Sequence, residues 1–168
     1  RPIAPGIVPD MVKNVLVLEY NSSASLEILR KNSHDLAAVL VEPVQSRRPD
    51  LQPQEFLREL RSLTTDVGAA LILDEMITGF RSHPRGIQWL FGVKADLATY
   101  GKVVGGGLPI GILAGRAKFM DALDGGMWNY GDESSPEVGG TFFAGTFVKH
   151  SPALAAAKAV LLHLKQHG

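Results

Sequence analysis

The sequence predicts an α/β fold, a mostly parallel sheet with flanking helices. Three observations support it: short apolar runs alternate with amphipathic stretches, one central run ends abruptly in two acids, and the hydrophobic content suits a buried core. Val15 to Glu19 and Leu36 to Val41 are β-branched and leucine-rich runs that read as strands. Between them, Ser25 to Lys31 has helical composition behind a Ser22-Ser23 cap signal. Phe56, Leu60, Leu63 and Val67 recur at helical spacing, with Pro53 suited to a first turn and Gly68 to the stop. Ala69 to Leu73 is a continuous apolar run closed by Asp74-Glu75, the pattern of a parallel strand covered on both faces. Leu97 to Tyr100 and Ile110 to Ala114 are further short runs around a glycine cluster, and the alanine-rich stretch Pro152 to Leu164 reads as a closing helix. Asp121 to Gly140, dense in Gly, Ser, Pro and acids, reads as a long surface loop. The opening Arg1-Pro2-Ile3-Ala4-Pro5-Gly6 reads as coil entering from an upstream segment, so the chain is expected to be part of a longer protein.

Composition narrows the function. A chain of 168 residues that is 45% hydrophobic is expected to form one domain. Seventeen basic and seventeen acidic residues cancel, leaving no net field to gather nucleic acid or an anionic membrane surface, so a small-molecule partner is expected. The absence of cysteine removes disulfides, thiolate metal sites and cysteine nucleophiles. No apolar run is long enough to span a bilayer and no secretory pattern opens the sequence, which leads to the expectation of a cytoplasmic protein.

Two motifs carry chemistry. In Leu71-Ile72-Leu73-Asp74-Glu75-Met76-Ile77-Thr78-Gly79-Phe80-Arg81 an acid pair stands where ligands bind in open parallel sheets, beyond the carboxyl end of a strand. Read alone, Asp74 is best explained as a cap for the next helix, with a metal ligand as the other alternative. In Tyr100-Gly101-Lys102-Val103-Val104-Gly105-Gly106-Gly107-Leu108-Pro109-Ile110-Gly111 a lysine follows another strand, 28 positions (102 minus 74) after Asp74. A phosphate loop has its glycines before the lysine, and a dinucleotide fingerprint needs a different glycine spacing, so both are excluded. A lone lysine near glycines is usually solvated. Paired with a strand-end carboxylate, it supplies the amine and the fixed acid that a pyridoxal site needs.

These motifs, with Val41-Glu42-Pro43-Val44 before them and Ala144-Gly145-Thr146 after, resemble the class III pyridoxal-phosphate-dependent aminotransferases, especially the glutamate-1-semialdehyde aminomutase-like branch. The resemblance covers most of the chain. Val15 to Tyr20, Glu42 to Pro49 and Gly145-Thr146-Phe147 are further similar to aminotransferase domains embedded in polyketide and nonribosomal peptide synthases. The resemblance implies a fragment of the fold-type I transferase large domain, with residues 1–168 as its central part and an N-terminal part and a C-terminal small domain missing. It implies pyridoxal 5′-phosphate as cofactor, an amino-acid donor, and a ketone or aldehyde acceptor, which in the assembly-line case is a β-ketoacyl chain on an acyl carrier protein. An intramolecular aminomutase and a non-catalytic relic or oligomerisation module are the rival readings.

By the same resemblance, Lys102 forms the Schiff base and then moves the proton, and Asp74 pairs with the protonated pyridine nitrogen. Met76 stands where many family members place Val or Ile against the ring face, and a thioether can still pack there. Ile77 replaces a glutamine found in some relatives, which favours the aminomutase-like branch. Glu42 either orients groups near the cofactor's phenolic oxygen or satisfies strand-end amides. Thr146 matches a threonine that binds the cofactor phosphate of the neighbouring subunit, implying a homodimer with shared sites. The run from Gly145 to Pro152 is one residue longer than the family pattern, which leaves the register of Thr146 open. The family's phosphate-cradling turn, its ring-stacking aromatic and its small domain are not recognisable here, so the isolated chain is expected to be a poor or inactive enzyme. Trp128 and Tyr130 are candidates for a substrate entrance or for pinning the loop to the core. His163 and His167 have the i, i+4 spacing of a metal pair but lack the following glutamate, so solvated ends of a helix are expected.

Overall fold

The computed structural model describes residues 4–168; Arg1 to Ile3 of the expected opening coil lie outside the described residues. Four strands, β1 (Ala38–Val41), β2 (Ala70–Asp74), β3 (Leu97–Gly101) and β4 (Gly111–Gly115), form one sheet in sequence order. The first three run parallel, with Val39 beside Leu71 and Asp74 beside Thr99. β4 returns antiparallel, pairing Gly101 with Gly111 through a turn too short for a crossover. The helices are α1 (Ser23–Lys31), α2 (Gln54–Asp66), α3 (Gly86–Phe91), α4 (Ala117–Asp124) and α5 (Ser151–His167).

The core forms where the amphipathic faces of α1 and α2 meet the sheet. Leu26, Leu29, Leu57, Leu60 and Leu63 pack with Leu71 and Leu73, joined by Ile87, Phe91 and Val93 from α3 and the turn after it. Leu57, Leu60, Leu71 and Leu73 are almost wholly buried, each worth roughly 1.5–3 kcal/mol of apolar transfer. Polar ties to one carboxylate close the amino ends of the strands. Asp96 accepts from the Leu71 amide at 2.8 Å and from Arg61 at 2.7 Å, and Arg116 lies 3.2 Å from its other oxygen. Burial pushes this carboxyl up, but the Leu71 amide and then Arg61 and Arg116 outweigh it and hold it below the usual carboxylate range.

The expected strand at Val15 to Glu19 is not a strand. Its backbone makes no ladder with any described segment, and Val15, Leu16 and Val17 are largely exposed, because β1 is the edge of the sheet on that side. The segment is instead anchored at its end, where Tyr20 donates to the Pro43 carbonyl at 2.8 Å and meets Phe56 edge-on at 5.5 Å. Pro53 stands just outside α2, its carbonyl accepting from Leu57, while Gly68 at φ +74° serves as the stop. The loop expected at Asp121 to Gly140 begins later, after α4, and the short helix α3 had no expectation at all. Among the described residues, no helix is long and apolar enough to cross a membrane.

Candidate functional site

Parallel pairing of β2 with β3 sets the carboxyl ends of these strands side by side, so the two motifs share one edge of the sheet. Asp74 closes β2 and is half-buried. Its Oδ1 accepts from the Met76 amide at 3.0 Å and from the Thr99 hydroxyl at 3.1 Å. Oδ2 has no partner among the described residues and is free to accept a proton donor.

Lys102 follows β3 directly, exposed and in the left-handed region at φ +51°. That conformation costs a side-chain-bearing residue about 1–2 kcal/mol, strain of the kind that collects at functional sites. The 3-10 turn Lys102–Gly105 that holds it packs under α5, where Ala153 and Ala157 are buried and a Cβ on Gly106 would lie 3.1 Å from Val160. Gly101 has a close-approach reason to be glycine: a Cβ there would come within 2.4 Å of the Met76 methyl and 2.9 Å of the Ile110 carbonyl. Met76 therefore lies across the strand end that carries Lys102.

Glu42 follows β1, beside the end of β2, and its carboxylate accepts from the Ser46 amide at 3.0 Å. That is the amide-satisfying arrangement, and the same carboxylate, after burial itself, helps push the Tyr20 phenol above its ordinary pKa. Thr146 sits exposed in the turn before α5. It borders an open, mainly apolar groove with Met76, Thr99, Tyr100, Ile112 and Phe147; neither Asp74 nor Lys102 lines that groove. Met76 and Thr99, both hydrogen-bonded to Asp74, thus connect the groove with the strand-end pair. Tyr130 is almost fully exposed and Trp128 half-buried, and neither borders the groove. His163 and His167 face each other with ring centroids 4.8 Å apart, and no described cluster of three or more His, Asp or Glu could hold a metal.

The profile of the family described as aminotransferase class-III matches residues 9–168. This chain belongs to the class III aminotransferases. It is 38% identical over 167 residues to a glutamate-1-semialdehyde 2,1-aminomutase of Methanoregula boonei, covering 99% of this chain and 38% of that protein. Among solved structures, an omega-transaminase from Sphaerobacter thermophilus superposes with a TM-score of 0.80 at 30% identity, covering 99% of this chain and 36% of that one. A transaminase with PLP bound superposes with a TM-score of 0.67 at 32% identity, covering 86% and 31%. The chain therefore spans well under half the length of the relatives it matches.

A class III aminotransferase needs a carboxylate for a protonated ring nitrogen and a primary amine for an aldehyde, and the donor set here fits that group. Asp74 offers an unpartnered oxygen on a braced carboxylate, Lys102 an exposed amine on a constrained backbone, and Met76 an apolar side chain between the strand ends. Two residues of this edge, Thr99 and Gln88, escaped sequence reasoning. Thr99 braces Asp74, and Gln88 links Glu75 to the Tyr100 hydroxyl. Thr99 stands two residues before Gly101 with nothing to mark it, and the crowding of Gly79 and Gly86 around Glu75 is visible only in the structure.

Proposed function

We propose that this chain is the central, cofactor-anchoring segment of a pyridoxal-phosphate-dependent transaminase, which passes an amino group from an amino-acid donor to a ketone or aldehyde. The observation that carries the reading is the braced Asp74, with one oxygen free, on the strand next to the one that ends in Lys102. When bound, pyridoxal phosphate supplies an electron sink for the carbanion formed at the donor's Cα. Asp74 Oδ2 would accept from the ring N–H and keep the nitrogen protonated. Lys102 Nζ would hold the cofactor through its aldehyde and, as a free amine, would move the proton at the donor's Cα. Met76 would pack on the ring face, and Glu42, already engaged with the Ser46 amide, would orient groups near the cofactor's phenolic oxygen. Thr146 reaches the cofactor phosphate of a second subunit in a homodimer with shared sites. The remainder of the phosphate cradle and the substrate domain belong to the longer protein, a division supported by the share of its relatives that the chain spans.

The similarity of Val15 to Tyr20 and Glu42 to Pro49 to assembly-line aminotransferases supports a β-ketoacyl acceptor presented by an acyl carrier protein. A second reading, intramolecular amino transfer, is favoured by the aminomutase relatives at 38 to 42% identity. The test uses the complete protein with pyridoxal phosphate and a donor labelled with heavy nitrogen. Transamination predicts a visible absorbance band that Lys102→Ala abolishes, and label that appears in the acceptor product. Retention of nitrogen within a single substrate would establish the aminomutase reading. Absence of the band in the unaltered protein would leave the non-catalytic relic.

A further inference from the structure

Glu75 is fully buried, stands next to Asp74, and has no part in the chemistry assigned above. Its carboxylate meets no cation among the described residues. Oε2 accepts from the Ile87 amide at 2.8 Å and the Thr78 hydroxyl at 3.1 Å, and Oε1 accepts from the Gln88 amide at 3.2 Å and the Gln88 side chain at 3.3 Å. The same Gln88 amide group donates to the Tyr100 hydroxyl at 2.9 Å. The charge of Glu75 is felt there: burial first, then Glu75, pushes the Tyr100 phenol above its ordinary pKa, so the hydroxyl keeps its proton.

Two glycines make room for this arrangement. A Cβ on Gly86 would lie 2.4 and 2.5 Å from the Glu75 oxygens, and one on Gly79 would lie 2.6 Å from both the Glu75 carbonyl and the Tyr100 ring. Tyr100 stands two residues before Lys102 on β3, and Glu75 one residue after Asp74 at the end of β2. The strand ends that carry the amine and the acid are therefore tied twice by independent side chains. Thr99 to Asp74 is the direct tie, and Glu75 through Gln88 to Tyr100 is the indirect one.

We propose that Glu75, Gln88 and Tyr100 form a positioning network that fixes Lys102 relative to Asp74. Glu75 is its hub and touches neither substrate nor cofactor. The proposal rests on the cofactor site assigned above. A buried carboxylate satisfied only by neutral N–H and O–H groups demands that all of them converge, so it holds the turn 76–86 and the start of α3 in one arrangement. Through Gln88 that arrangement extends to β3. Breaking the far end of the network loosens the amine while leaving the acid and its brace in place.

The experiment uses the complete protein loaded with pyridoxal phosphate, comparing Tyr100→Phe, Gln88→Met and Glu75→Gln. The readouts are the dissociation constant of the cofactor, the pH midpoint of the visible band, and the separate values of kcat and KM. Cofactor affinity is expected to fall by roughly tenfold to a hundredfold, the usual range when outer contacts that orient a site are lost. The band's pH midpoint is expected to move, and kcat to fall with the donor KM held. The double variant Glu75→Gln with Tyr100→Phe is expected to lose less than the product of the two single losses, because both cut one network. Tyr100→Phe alters only the far end and Gln88→Met leaves Glu75 its Ile87, Thr78 and Gln88 backbone partners, so they serve as the test even where Glu75→Gln does not fold. An unchanged midpoint and unchanged affinity in both, with the band present in the unaltered protein, would overturn the positioning role. Absence of the band in the unaltered protein overturns the underlying cofactor site instead.

Discussion

Glu75 and Asp96 are both buried carboxylates, set at opposite ends of the same pair of strands, and they are satisfied in opposite ways. Asp96, at the amino ends, draws two arginines and the Leu71 amide. Glu75, at the carboxyl ends, is held among the described residues by neutral donors alone. An ion cluster at Asp96 fastens α2, β2 and the exit from β4 where no chemistry happens. Neutral donors at Glu75 satisfy one acid without bringing in a cation that would compete for the free oxygen of its neighbour, Asp74. Burial alone therefore does not tell a structural acid from one that serves a site; the charge of its partners does.

The largest expected effect tests the structural end. Asp96→Ala leaves Arg61 and the Leu71 amide without their acceptor, with a stability loss of about 3 kcal/mol in urea unfolding; half-exposed Arg116 adds little because water replaces its partner. In the complete protein the cofactor band is expected to stay at its normal pH midpoint, and a moved midpoint would erase the contrast between the two ends. Next is Gly86→Ala, which puts a methyl against the Glu75 oxygens at a left-handed backbone position. A loss of about 2 kcal/mol or more is expected, this time with weakened cofactor retention.

A pH series sharpens the comparison further. The folded Asp96 carboxyl titrates below its unfolded value, so its stabilising contribution is complete above about pH 4 and is lost as pH falls through the folded value. Asp96→Asn is expected to flatten that acid limb, read as a smaller change in urea midpoint between neutral and acid pH. The smallest effect on stability is expected from Thr99→Val, which removes one hydrogen bond from Asp74 at a cost of about 1 kcal/mol. Cofactor release measured by dialysis is expected to be faster in that variant, and an unchanged rate would show that the Met76 amide alone suffices to orient the acid.

Much of this was legible in the chain itself. The apolar run ending in Asp74-Glu75 is a parallel strand, and the leucines at helical spacing are the buried face of α2, because both depend on local periodicity. The pairing of Asp74 with Lys102 was readable because each lies at a strand end and the motif order excludes a phosphate loop. Val15 to Glu19 misled for the opposite reason. Its composition suits a strand, yet a strand exists only through a neighbour, and no described segment supplies one. α3 is six residues long, too short for a periodic signal, and owes its start to the Glu75 carboxylate meeting the Ile87 and Gln88 amides.

By itself, the sequence determined the α/β class and the family, and it singled out the acid and amine on which the proposed site rests, since these follow from periodicity and residue chemistry within short stretches. Only the tertiary structure decided that β4 turns back antiparallel, that Met76 lies across Gly101, and that Thr99 and the Glu75–Gln88–Tyr100 chain tie the two strand ends together. Those contacts join residues from 12 to 25 positions apart, and a hydrogen bond depends on where two atoms meet in space, which no single stretch of sequence specifies.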